Sequence, residues 1–178
     1  MVSILAVLSG CRSKKELSAS QQAVQKEEIK AAATDYHDAS TWLIGYFTRR
    51  MMTMPPHSEW FRKGYDEYKF NEDAVNKLTT VSKDSITIKI VMGSWCPDSR
   101  REVPGMMRIL DYWGFPEEKI TFIGVDESKF SPIGGYEKLE IVRVPTFIFY
   151  KNNIELGRII ENPVTSLEQD MTDILAKE

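Results

Sequence analysis

Two short stretches, read together, decide how this chain folds: Gly93-Ser94-Trp95-Cys96-Pro97-Asp98-Ser99 and, roughly 50 residues later, Val144-Pro145-Thr146. Leading into the first, Ile86, Ile88, Ile90 and Met92 alternate with polar or partner residues, which predicts a strand ending at Gly93. Leaving it, Val103, Met106, Met107, Leu110 and Trp113 share one helix face, and the helix closes at Gly114 with Pro116 just beyond. Ile120-Thr121-Phe122-Ile123-Gly124-Val125 is nearly all apolar, as a strand inside a sheet is. Strand, helix, strand in this order is a βαβ unit with parallel strands.

The second stretch opens another pattern. A loop holding Gly134-Gly135 and a short helical stretch precede it, and strands are expected at residues 146–150 and 154–160. Lys151-Asn152-Asn153 between them is a tight polar connection suited to a hairpin. Thr165-Ser166-Leu167-Glu168 then reads as a capping box, and Val164, Leu167, Met171, Ile174 and Leu175 as the apolar face of a last helix. The order βαβ, connector, ββα places the chain in the α/β class from residue 85 to residue 178.

Upstream the composition changes. Residues 34–84 are dense in aromatic side chains and predict a helical extension. Trp42, Leu43, Tyr46 and Phe47 recur at helical spacing, as do Trp60, Phe61, Tyr65 and Tyr68, with Met54-Pro55-Pro56 breaking the two. Ala74, Val75 and Leu78 continue into a third amphipathic stretch. Residues 12–33 are mainly Ser, Gln, Lys, Glu and Ala, the composition of a polar tether. Residues 1–11 combine a short apolar run, Val2 to Leu8, with small residues before Cys11, the arrangement of a secretory signal.

Charge and cysteine usage exclude whole classes. The net charge is −3, and Lys and Arg are interspersed with Asp and Glu, so no basic face for nucleic acid is expected. Two cysteines, Cys11 and Cys96, rule out a disulfide framework and a four-thiolate zinc site. His37 and His57 stand far from Cys96 in sequence and read as surface or helix-end residues; no metal or organic cofactor is called for.

Leu8-Ser9-Gly10-Cys11 resembles the lipobox of bacterial lipoproteins, although no Lys or Arg precedes the apolar run. That resemblance implies cleavage before Cys11, a lipid on its thiol, and a mature chain anchored at a membrane of the cell envelope, facing the periplasm or the cell surface. An exported protein works where disulfides persist.

From about residue 85 the chain resembles thioredoxin-like proteins, through the strand into Trp95-Cys96-Pro97 and a helix, through Val144-Pro145-Thr146, and through the hairpin after it with Gly157 following. The resemblance implies a thioredoxin-like α/β fold and a cis Val144-Pro145 bond. It also implies a nucleophilic Cys96 beside backbone that pairs with an extended substrate. Physical chemistry agrees that a cysteine leading a helix faces unpaired N–H groups and the positive end of the dipole, which favour thiolate over thiol. Ser99, one turn on, has a hydroxyl that can donate to the sulfur. Trp95, Pro97, Asp98 and Val144 would shape access and substrate binding, with Asp98 opposing part of the thiolate stabilisation.

The departures matter as much as the match. Family oxidoreductases carry Cys-x-x-Cys, and here the resolving position is Ser99. The buried acid that thioredoxins place six residues before the first active-site cysteine is Ile90. A dithiol cycle is therefore excluded, and single-thiol exchange through Cys96 with protein or small-molecule thiols and disulfides is the leading expectation. A redox-inactive binding or scaffold module on the same fold is the alternative, and a monothiol glutaredoxin-like role ranks below both.

Overall fold

The computed structural model describes residues 36–176; Cys11 and the expected signal segment and tether lie outside them. Five strands form one sheet: β1 (Gly45–Phe47), β2 (Ile86–Met92), β3 (Ile120–Gly124), β4 (Thr146–Lys151) and β5 (Ile154–Ile160), in the order β1-β3-β2-β4-β5. β2 and β3 run parallel, joined by the long helix Pro97–Trp113, as a βαβ unit requires. β4 pairs antiparallel with β2, and β5 with β4. Asn152 and Asn153 turn the last hairpin with φ of 50° and 65°, the two positive values a two-residue turn needs.

Alternation along the strands divides the interior into two cores. Ile86, Ile88, Ile90 and Met92 of β2, with Phe147 and Phe149 of β4 and Phe122 of β3, face the larger one. Val91, Ile123 and Ile148, the residues between, face the smaller one together with Cys96, Val144, Tyr136 and Leu139. The larger core is roofed by helices, here α1 (Arg49–Met52), α2 (Ser58–Glu67), α3 (Glu72–Leu78), α4 (Pro97–Trp113) and α5 (Leu167–Leu175). α4 follows the expected face and stops at Gly114, whose φ of 68° is the left-handed conformation glycine adopts most readily.

The extension departs from its reading in one place. Residues 42–47 are not helical: a 3₁₀ turn at Ala39–Thr41 leads into β1, which pairs antiparallel with the outer side of β3. Two local facts favour strand over helix. Gly45 sits at φ 77°, and β3 offers an open edge on which Phe47 packs inward while Tyr46 points outward. The close approach is possible because residue 124 is glycine, since a Cβ there would collide with the Leu43 backbone. The expected second and third helices are present as α2 and α3, separated from α1 by the Met54-Pro55-Pro56 break. Their buried residues Phe61, Val75 and Leu78 are fully part of the interior. Residues 34–84 are therefore not a purely helical appendage, because they supply an edge strand and part of the core roof.

The last helix is also capped differently. Ser166, not Thr165, is the N-cap and accepts from the Gln169 N–H, while Glu168 turns inward and accepts from the Asn71 N–H at 3.2 Å. Val164 lies outside the helix and is 96% exposed, because its backbone and that of Thr165 are drawn to the Asp170 carboxylate.

A polar lock ties the β1–α1 corner to α4. Arg49 donates to both carboxylate oxygens of Asp111, at 2.7 and 2.5 Å, and the Tyr65 hydroxyl donates to the same group at 2.6 Å. Burial alone would raise the Asp111 carboxyl, but the hydrogen bonds from Arg49 and Tyr65 and the guanidinium charge outweigh it and hold it below the ordinary value. A carboxyl lowered in the folded state adds stability that is complete above its unfolded value and is lost as pH falls through the folded one. We expect denaturant unfolding of the wild type to lose stability below about pH 4, and Asp111→Asn to lower stability at neutral pH while flattening that acid limb.

Candidate functional site

The site is assembled where β2 ends and α4 begins. Cys96 is the N-cap of α4, with φ −76° and ψ 124°, and Pro97 occupies the first helical position, where its missing N–H costs nothing. The turn is closed by the Cys96 N–H donating to the Gly93 carbonyl at 2.9 Å. The Gly93 N–H in turn donates to the Ser99 hydroxyl at 3.3 Å. The thiol donates to the Val144 carbonyl at 3.4 Å, across 48 residues of sequence. Val144-Pro145 is cis, and both residues are buried beside the sulfur.

Of the residues expected in the site, Cys96, Ser99, Val144 and Pro145 are brought together. Ser99 is fully buried and its hydroxyl meets Gly93; a bond from Ser99 to the sulfur is not among those of the described residues. Asp98 forms an ion pair with Arg101 at 2.7 Å, so part of its negative charge is answered locally. Pro97 is exposed at the rim. Trp95 is pinned: its indole N–H donates to the Val125 carbonyl at 2.9 Å, and its ring lies so close to Gly93 that a Cβ there would meet it. Ile90 is buried in the larger core, on the other face of the sheet from Cys96.

The loop that carries Val144 is held from behind. The Thr146 hydroxyl donates to the Arg143 carbonyl, the Glu161 N–H to the Pro145 carbonyl, and Arg143 pairs with Glu161 at 2.6 Å. Cys96 itself is buried, 7% exposed, and lies among apolar neighbours. Among the described residues no group of three or more His, Cys, Asp or Glu is placed to hold a metal ion.

Four residues near the site escape sequence reasoning: Tyr36, Trp42, Ser94 and Arg100. The segment before β1 crosses the end of the sheet, with the Leu43 N–H donating to the buried Ser94 hydroxyl at 3.0 Å. Trp42 then lies against Trp95, ring centroids 6.2 Å apart, and the Tyr36 ring covers the Arg100 guanidinium at 4.0 Å. Nothing in local spacing announces these contacts, because each joins positions more than 50 residues apart.

This arrangement of strand, N-cap cysteine, helix and facing cis-proline coincides with the family match: the thioredoxin family model aligns with residues 46–173. The chain belongs to the thioredoxin family. The matched span begins within β1, so the extra strand and helices are inside the family domain. Comparison with curated proteins gives no match. Among solved structures, a Pseudomonas aeruginosa protein of unknown function is similar at 15% identity and TM-score 0.46, over 65% of this chain and 78% of that one. Thioredoxin O2 of Arabidopsis thaliana is similar at 19% identity and TM-score 0.39, over 61% and 91%. Mitochondrial thioredoxin 3 of Saccharomyces cerevisiae is similar at 20% identity and TM-score 0.37, over 57% and 88%.

The Ser94 hydroxyl is the acceptor that lets the segment before β1 lie on this thioredoxin fold. Ser94→Ala leaves the buried Leu43 N–H without a partner, a cost of about 1–3 kcal/mol. The expected outcome is a lower denaturation midpoint and faster amide exchange at Leu43; unchanged exchange there would contradict the assignment.

Proposed function

We propose that the chain carries out thiol–disulfide exchange through a single thiol, Cys96, on exported proteins or small thiols, from an anchor at a membrane of the cell envelope. The observation that carries this reading is the N-cap thiol facing the Val144 carbonyl at 3.4 Å with Ser99, not a cysteine, one turn on. The sulfur stands at the start of α4, and the Val144 backbone offers an extended substrate a place to pair.

The chemistry balances without a cofactor. Cys96 releases its proton to solvent and its thiolate attacks one sulfur of a substrate disulfide. A new Cys96–substrate disulfide forms, the substrate bond breaks, and the second substrate sulfur leaves as a thiolate that takes up a proton. An external thiol then attacks the mixed disulfide, forms a disulfide with the held partner and returns Cys96 to the thiol. Trp95 and Pro97 border the path to the sulfur, and Ser99 donates to the thiolate once the bond to Val144 is given up. The Asp98–Arg101 pair keeps the rim near neutrality.

One observation favours the second reading, a binding module without turnover: Cys96 is only 7% exposed. The two readings separate on treatment with a peptide disulfide followed by mass spectrometry. Wild type is expected to gain the mass of one partner thiol at Cys96, and Cys96→Ser to gain none. Ser99→Cys restores a resolving thiol and should shorten the adduct's life on the order of tenfold or more. Partner binding that persists in Cys96→Ser, with no adduct on wild type, would establish the binding module instead.

The anchor is the lipid expected on Cys11. Labelled fatty acid supplied to producing cells should be incorporated into the wild-type chain and into Cys96→Ser. Cys11→Ala is expected to be unlabelled and to leave the membrane fraction.

A further inference from the structure

α1 and α2 are joined through the Met54-Pro55-Pro56 break, and beside it lies a cavity of about 250 Å³ walled by Arg49, Thr53, Ser58, Phe61, Arg62 and Tyr65. Four of the six come from α2 at intervals of three and four residues, so they share one face of that helix. The face is divided lengthwise. Phe61 and Tyr65, four residues apart, form an aromatic pair with ring centroids 6.2 Å apart and planes inclined by 29°. Ser58 and Arg62, also four residues apart, form a polar pair beside it.

The polar groups around the cavity differ in what they already bond. Arg49 gives two nitrogens, and Tyr65 its hydroxyl, to the Asp111 carboxylate. The Thr53 hydroxyl donates to the Arg50 carbonyl at 2.9 Å. Arg62 and the Ser58 hydroxyl make no hydrogen bond among the described residues, and Arg62 makes no ion pair there. Glu59 and Asp66 stand three and four residues from Arg62 on the same helix, spacings at which ion pairs form, yet neither takes it. Asp111 therefore cancels Arg49, and Arg62 sets the sign of the cavity.

These features select one ligand chemistry. The lining holds no carboxylate, imidazole or thiol, so a metal ion would find no ligand set. A phosphate dianion would meet one uncommitted guanidinium and walls that are mostly apolar. An aromatic carboxylate matches both halves of the face, because a guanidinium forks onto carboxylate oxygens and aromatic walls take up ring area. The volume lies just below the roughly 300 Å³ at which pockets for larger organic ligands begin, which limits the occupant to a single ring.

We propose that the cavity beside α1 and α2 is a binding site for a small single-ring aromatic carboxylate. The carboxylate accepts from the Arg62 guanidinium and the Ser58 hydroxyl, and the ring lies along Phe61 and Tyr65. The site belongs to the helical extension and does not involve Cys96.

The test is a benzoate titration of the whole chain at constant ionic strength, followed by NMR at the ring resonances of Phe61 and Tyr65. The expected result is a saturable shift, with cross-relaxation between benzoate protons and both rings. Acetate, which lacks the ring, and benzyl alcohol, which lacks the charge, should each bind about tenfold or more weakly. Arg62→Gln should weaken benzoate binding by a similar factor of about ten. Arg62 is exposed and unpaired among the described residues, so this change leaves the fold intact. Cys96→Ser should bind benzoate as the wild type does, which separates failure of this site from failure of thiol exchange. The thermal midpoint of the wild type should rise with benzoate and not with acetate. A linear response, acetate or inorganic phosphate binding as tightly as benzoate, undiminished binding in Arg62→Gln, or an unmoved midpoint overturns the proposal.

Discussion

The hydrogen bond between the Gly93 N–H and the Ser99 hydroxyl, with its companion from the Cys96 N–H to the Gly93 carbonyl, stands at the point on which the structure turns. A central strand ends there inside the protein, so its last polar groups have no water to bond and must be satisfied within a few residues. A serine one turn into α4 meets this need, and so the residue that takes the resolving position in the motif also serves as part of the scaffold. The same short turn fixes Cys96 as the N-cap. The electrostatics of the thiol and the closure of the strand are consequences of one backbone geometry.

The second constraint is the backbone brought in from the distal loop. Val144 reaches the sulfur only because β4 pairs with β2 and the loop before it is tied to Thr146, Glu161 and Arg143. The thiol hydrogen bond is thus a readout of the sheet register. Trp95, fastened to Val125, and Trp42, carried in by the segment before β1, complete the rim from the opposite side. Three stretches far apart in the chain supply its walls.

The extension is best understood through what it does to α4. α2 packs across the first half of α4 at Gly64 and Pro104, and Pro104, lacking an N–H, leaves the Arg100 carbonyl without its helical donor. Below it, Asp111 gathers Arg49 and Tyr65 into three charge-assisted bonds that fasten the edge strand's corner to the far end of the same helix.

Much of the fold was legible because it follows from periodicity. The two-residue alternation of Ile86 to Met92, the helical stripe from Val103 to Trp113 and the paired asparagines of the hairpin are local properties, and the structure keeps each of them. Residues 42–47 were misread for the complementary reason: their aromatic spacing suits a helix, yet an unpaired edge on β3 offered stronger bonding, and only the assembled sheet reveals that edge. The capping serine of α5 and the outward turn of Val164 likewise depended on where Asp170 and Asn71 came to rest. At the site, Cys96 at a helix start follows from the local pattern, and Pro145 as its neighbour follows from the resemblance to thioredoxin-like proteins. The orientation of Ser99 toward Gly93, the pairing of Asp98 with Arg101 and the burial of His57 follow from neither. Sequence determines patterns that each segment can satisfy alone; tertiary structure decides which buried polar group meets which, because only packing removes the water that would otherwise satisfy them all.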